Sequence, residues 1–182
     1  MVTEHGDSPP EGGHDAARTI WLSEGEQQAW RIMVAVHARL IARLDAELQA
    51  SQHLSLREYE MLVHLSEAEG SSLRMAELAQ RLFVTPSGLT RRLDGLVRTG
   101  LVRRQTCRHD RRGMLAVLTP EGRAALERAA PAHVASVRRY VFDPVDARQI
   151  HQMATTMGAM YAALEAATGP DRCAPVPSRG EG

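Results

Sequence analysis

The sequence has no lysine and no asparagine, and all 22 of its basic residues are arginine. It has only two cysteines, Cys107 and Cys173, far apart in the chain. That spacing argues against a disulfide framework and fits a reducing cytoplasm. Aromatics are scarce, with two Phe, two Trp and three Tyr, so a stacked aromatic cage is not expected. No apolar run approaches the ~20 residues of a membrane helix. Residues 1–19 have neither the basic start nor the apolar stretch of a signal peptide. A Gly-rich phosphate loop, a metal-spaced histidine motif and a serine elbow are all missing. The sequence thus offers no catalytic residue, no metal-ligand set and no cofactor site, and reads as a non-enzyme. Its 182 residues fit one domain with extra helices for an interface.

What is present is a segregated charge. Basic and acidic residues balance at 22 each. Yet residues 81–112 hold nine arginines against two aspartates, and the remainder of the chain carries the compensating negative charge. Clustered like charges repel and weaken the compact state, and a phosphate-bearing partner gives a reason to keep them.

The pattern predicts one ordered region, 20–168, between disordered arms at 1–19 and 169–182, which are rich in Gly and Pro. Trp30, Met33, Val34, His37, Leu40, Ile41, Leu44 and Leu48 recur at helical spacing and predict a helix over 24–50. Ser55 and Glu58 form a capping box for a second helix, which should stop near Gly70. A short strand at 72–74 and a two-turn helix from Met75 follow. Arg74 is a poor cap, so that helix should start weakly or be capped by Ser72 or backbone. Thr85-Pro86 opens a helix ending at Gly100. Strands at 101–106 and 113–118 should flank a loop at 107–112. Thr119-Pro120 opens a helix toward Tyr140, in which Pro131 should make a kink or a split. Asp143-Pro144 should open the last helix, to about 167.

Helix, short turn, helix, then a two-stranded hairpin is the order of a winged helix-turn-helix. The fold class is therefore mainly α with a small β-hairpin wing, the winged unit at about 54–118 and interface helices at about 24–50 and 120–167. The helix at 86–99 has the width for a major groove and a polar outer face with Ser87, Thr90, Arg91, Asp94 and Arg98. Hydroxyls and the forked guanidinium suit base edges and phosphates. Arg108, Arg111 and Arg112 at the hairpin tip suit a minor groove. The interface helices exceed what a winged unit needs to cover its core, and a second copy is the simplest cover for them.

These residues resemble the MarR-type regulators, the multiple-antibiotic-resistance repressor family. The resemblance rests on Leu54-Ser55-Leu56-Arg57-Glu58-Tyr59 and Arg74-Met75-Ala76-Glu77-Leu78-Ala79. It continues in Thr85-Pro86-Ser87-Gly88-Leu89-Thr90-Arg91 and Leu96-Val97-Arg98-Thr99-Gly100-Leu101-Val102. It closes with Asp110-Arg111-Arg112-Gly113 and Leu118-Thr119-Pro120-Glu121-Gly122. It spans roughly 24–167 and implies a cytoplasmic homodimer with interlocked terminal helices. Such a dimer binds double-stranded DNA at palindromic operators, usually as a repressor, and is released by a small aromatic or phenolic effector. By position, Ser87, Thr90 and Arg91 would face the major groove, with Arg92 a weaker candidate. Asp110 would brace the wing and Arg112 would reach the minor groove. Arg111 would meet solvent or a phosphate.

An effector pocket is expected where the interface helices meet the winged unit, with Trp30, Met33, His37, Tyr59 and Met61 as candidates. Each of these also suits ordinary core filling. Cys107, beside Arg108 and His109, is a minor candidate for thiol sensing. The alternative function is a protein-interaction module that kept the fold without specific DNA binding.

Overall fold

In a computed structural model of the chain, the described residues are 21–106 and 113–168. The chain divides into two units, Met1–Ala38 and Arg39–Gly182. The described part of the first is Trp21 to Ala38, which includes the beginning of α1 (Glu24–Gln52). Ser23 and Glu26 cap α1 reciprocally. The Ser23 N–H donates to Glu26 Oε2 at 2.7 Å, and the Glu26 N–H donates to Ser23 Oγ at 3.3 Å. Trp30, Ile32, Met33, Val34 and Val36 in this unit are exposed.

The second unit holds the rest of α1, then α2 (Leu56–Glu67), a 3-10 turn (Glu69–Ser71), β1 (Ser72–Arg74), α3 (Met75–Arg81) and α4 (Pro86–Arg98). The hairpin strands β2 (Val102–Thr106) and β3 (Met114–Leu118) follow. Then come α5 (Pro120–Val137), a π turn (Arg138–Phe142) and α6 (Ala147–Thr168). The sheet is antiparallel in the order β1-β3-β2, and Ala116 is flanked by Leu73 and Arg104. This is a winged helix-turn-helix with additional helices, the predicted class.

The core is built from α2, α3, α4 and the wing, joined by Leu44 and Leu48 of α1 and by Leu126 and Ala129 of α5. Met61, Leu62, Leu65, Leu78, Leu89, Leu93, Leu96 and Val102 are fully buried, each stabilising by roughly 1.5–3 kcal/mol. Leu89, Leu93 and Leu96 follow one face of α4, which turns the opposite face outward.

The predicted capping box is present. Ser55 Oγ accepts from the Glu58 N–H at 3.2 Å, and the Ser55 N–H donates to Glu58 Oε2 at 2.9 Å. Asp45 of α1 accepts the next free donor, the Leu56 N–H, at 2.8 Å, so α1 and α2 share one capped corner. As predicted, the Arg74 side chain supplies no cap to α3. Its backbone pairs with Leu115 in the sheet, so the strand fixes the helix entry.

Thr85 and Thr119 both cap as predicted, accepting from the Gly88 and Gly122 N–H groups at 3.2 and 3.0 Å. The Thr119 hydroxyl also donates to the carbonyls of Gly100 and Leu101 at 2.7 and 3.0 Å. It thereby clasps the α4–β2 turn. Gly122 packs against the Leu101 carbonyl so closely that a Cβ would overlap it.

Two expectations change. Asp143-Pro144 does not open α6. Asp143 closes the π turn, its N–H donating to the Arg138 carbonyl. Asp146 caps α6 instead, its Oδ1 accepting from the Gln149 N–H at 2.7 Å while the Gln149 side chain accepts from Asp146 N–H at 2.9 Å. This Asp146–Gln149 capping box thus outcompetes the proline signal. Of the two outcomes expected at Pro131, a kink or a split, the split does not occur: α5 continues to Val137. Ala125, Leu126 and Ala129 are buried before it and Ser136 after it, and burial on both sides outweighs the lost backbone bond.

Candidate nucleic-acid interface

At about 3.6 residues per turn, the three buried leucines of α4 leave Ser87, Arg91, Asp94 and Arg98 on one outward stripe, with Thr90 at its edge. Ser87, Thr90, Arg91, Arg92 and Arg98 are all exposed. Arg92 lies about 100° round the helix from Arg91, off the stripe, which agrees with its lesser expected role. The Thr90 hydroxyl donates back to the Pro86 carbonyl at 3.0 Å. What it presents outward is therefore acceptor capacity and a methyl group.

The sequence did not single out Arg104. From β2 it reaches α4, with Nη2 2.7 Å from Asp94 Oδ1 and 3.3 Å from the Thr90 carbonyl. The Asp94 carboxylate on the stripe is thus paired by the wing, and the first strand of the hairpin is tied to the helix beside it. The only sequence signal was an aspartate four residues past Thr90, facing outward among arginines. Thr90 and Arg104 also line an open groove of about 500 Å³ with Met75, Pro86 and Met114. The remaining predicted contacts, Arg108, Asp110, Arg111 and Arg112, lie with Cys107 and His109 outside the described residues.

The effector candidates separate. Trp30, Met33 and His37 belong to the first unit and are exposed. Met61 is fully buried among core leucines and lines no described cavity. It lies in the core cluster that joins α2 to its neighbours. Tyr59 lines a cavity of about 280 Å³ with Ile41, Leu44, Leu56, Glu60, Val63, His64 and His133. His133, which the sequence reading did not single out, comes from α5. Its Nδ1 is buried with no hydrogen-bond partner among the described residues. Burial pushes its pKa down, with Glu60 partly opposing. The cavity therefore combines apolar walls with the phenol of Tyr59, the imidazoles of His64 and His133 and the carboxylate of Glu60. Behind it, Glu47 accepts from Ser136 Oγ and from Tyr140 Oη, and pairs with Arg43 at 2.8 Å. The hydroxyl donors from Ser136 and Tyr140 hold its carboxyl below the usual range.

Comparison with known proteins follows the same surface. A family model described as MarR family matches residues 54–113. Over 88 residues the chain is 38% identical to the HTH-type transcriptional repressor YetL of Bacillus subtilis, covering 48% of this chain and 53% of that protein. The chain spans about half the length of the curated relatives it matches. AbsC, a MarR family transcriptional regulator from Streptomyces coelicolor, superposes with a TM-score of 0.76 at 37% identity, over 80% of this chain and 98% of that one. Sco3205, a MarR family transcriptional regulator of the same organism, solved in complex with DNA, gives a TM-score of 0.78 at 36% identity, over 82% and 93% of the two chains.

Proposed function

The chain belongs to the MarR family of transcriptional regulators, and from that premise we propose a homodimeric repressor that binds double-stranded DNA at a palindromic operator in the cytoplasm. The observation that carries this is the α4 stripe. Ser87, Arg91 and Arg98 face outward on a helix whose other face is fully buried, and Arg104 neutralises the one carboxylate among them. In this reading α4 enters the major groove and Arg112 reaches the adjacent minor groove. The work is equilibrium binding, which needs no catalytic group or cofactor.

Two further features support the assembly and its control. The exposed apolar residues of the first unit, and separately Met157, Met160, Tyr161 and Leu164 of α6, are surfaces that a second copy would cover. In such a dimer the two recognition helices would sit about 34 Å apart, one turn of duplex. The Tyr59–His133 cavity suits a small aromatic or phenolic effector.

The test is selection of bound duplex from a random pool, repeated with a panel of phenolic and aromatic compounds. A palindromic consensus is expected, with affinity falling steeply as salt rises and at least one compound releasing the DNA. Weak binding with no sequence preference would favour an interaction module instead.

A further inference from the structure

Phe83 sits in the turn between α3 and α4 with φ +52, a conformation that side chains larger than glycine rarely adopt. The turn leaves it no alternative. The Phe83 N–H donates to the Gln80 carbonyl at 2.9 Å and the Val84 N–H donates to the Ala79 carbonyl at 3.0 Å. Together these close α3 in the way a glycine ordinarily would. Val84 packs against the core and Thr85 caps α4, so the backbone is held on both sides. The ring nevertheless stands 80% exposed. A bulky apolar side chain here gains no burial and sits on a disfavoured backbone. For stability alone, glycine or asparagine would be better.

Position gives the ring something to touch. Phe83 precedes Pro86, the first residue of α4, by three residues, a chain reach of at most about 11 Å. A helix seated in a major groove about 12 Å wide brings whatever flanks its N-terminus against one strand's sugar–phosphate wall. A phenyl ring there meets deoxyribose C–H surface and neutralises no phosphate. Resting on the DNA-binding reading above, we infer that Phe83 is a DNA-contacting residue that packs on the sugars of the strand beside the recognition helix.

The experiment compares the full-length parent with Phe83→Asn, which keeps the left-handed backbone without the ring, and Phe83→Leu, which keeps an apolar side chain. Each is titrated on the selected operator at several salt concentrations and melted without DNA. Phe83→Asn is expected to raise Tm by roughly 2–6 °C while weakening operator binding about three- to tenfold. The salt slope should not change, because no phosphate contact is lost. Phe83→Leu should recover much of the affinity. Hydroxyl-radical footprints should lose protection at a sugar in each half-site with Phe83→Asn. Equal affinity and equal footprints for Phe83→Asn and the parent would overturn the inference alone. A changed oligomer mass with unchanged affinity would also overturn it, by assigning the ring to another surface. A parent that selects no DNA sequence would remove both the inference and the reading beneath it.

Discussion

The imidazole of His133 lies against the ring of Tyr59, with ring centres 4.5 Å apart and planes tilted by 42°. This contact joins α5 to α2 and places in the seam a buried nitrogen, Nδ1, with no hydrogen-bond partner among the described residues. Burial depresses the His133 pKa below its ordinary 6.5. The unfolded chain, whose histidine keeps that ordinary value, binds more protons just below it than the folded chain does. The stability this site contributes is full above the unfolded value and drains as pH falls through the folded one. Urea melts at steps from about pH 8 down to about pH 5 should show that loss, and His133→Gln should flatten it. Glu60, His64 and Tyr59 face the same cavity, so Glu60→Gln in the parent should steepen the loss.

Arg104→Ala should weaken operator binding by on the order of 1–2 kcal/mol, by leaving the Asp94 carboxylate uncompensated beside the phosphates. Adding Asp94→Asn to Arg104→Ala should restore part of that affinity. Titration of the four proteins on one operator at one salt concentration gives the coupling. Stability should change little, since exposed pairs contribute about 0–1 kcal/mol.

Arg91→Ala should cost roughly 1–3 kcal/mol in specific binding, and Arg92→Ala less. The reason is the angular separation of the two residues on α4. Competition against mutated operators would show relaxed preference at one base pair for Arg91→Ala, and only a reduced salt slope for Arg92→Ala. Arg112→Ala, in the loop the sequence predicts between the two hairpin strands, is expected to fall in the same range as Arg91→Ala.

Gly122→Ala should destabilise the fold by about 2–4 kcal/mol, because the added Cβ meets the backbone carbonyl of Leu101 rather than a side chain that could swing away. Thermal melting reads this directly.

Light scattering at micromolar protein should give a dimer mass. Met160→Glu together with Leu164→Glu should shift it toward monomer, since both residues are exposed apolar positions of α6. A parent that is itself monomeric would contradict the proposed assembly.

The helix-turn-helix and its wing were legible because their signals are local. Ser55–Glu58, Thr85-Pro86, Thr119-Pro120 and Gly100 each fix an element end with their immediate neighbours. Residues whose role depends on distant partners were not. Arg104 looked like one more arginine until β2 folded beside Asp94. His133 gained meaning only when α5 docked on α2. Met61 shares the spacing of a pocket residue, and only packing places it inside. The start of α6 was misread because two acid-led signals lie three residues apart, and the choice between Asp143 and Asp146 is made by the π turn that consumes the first.

The Thr119 clasp leaves no slack between the start of α5 and the end of α4. Turning α5 must either drag the α4–β2 turn along or tear a hydroxyl from two carbonyls over a glycine with no spare room. The joint therefore behaves as a weld rather than a hinge. A ligand that shifts α5 by a fraction of an ångström at His133 would spend that displacement on the aim of the recognition helix.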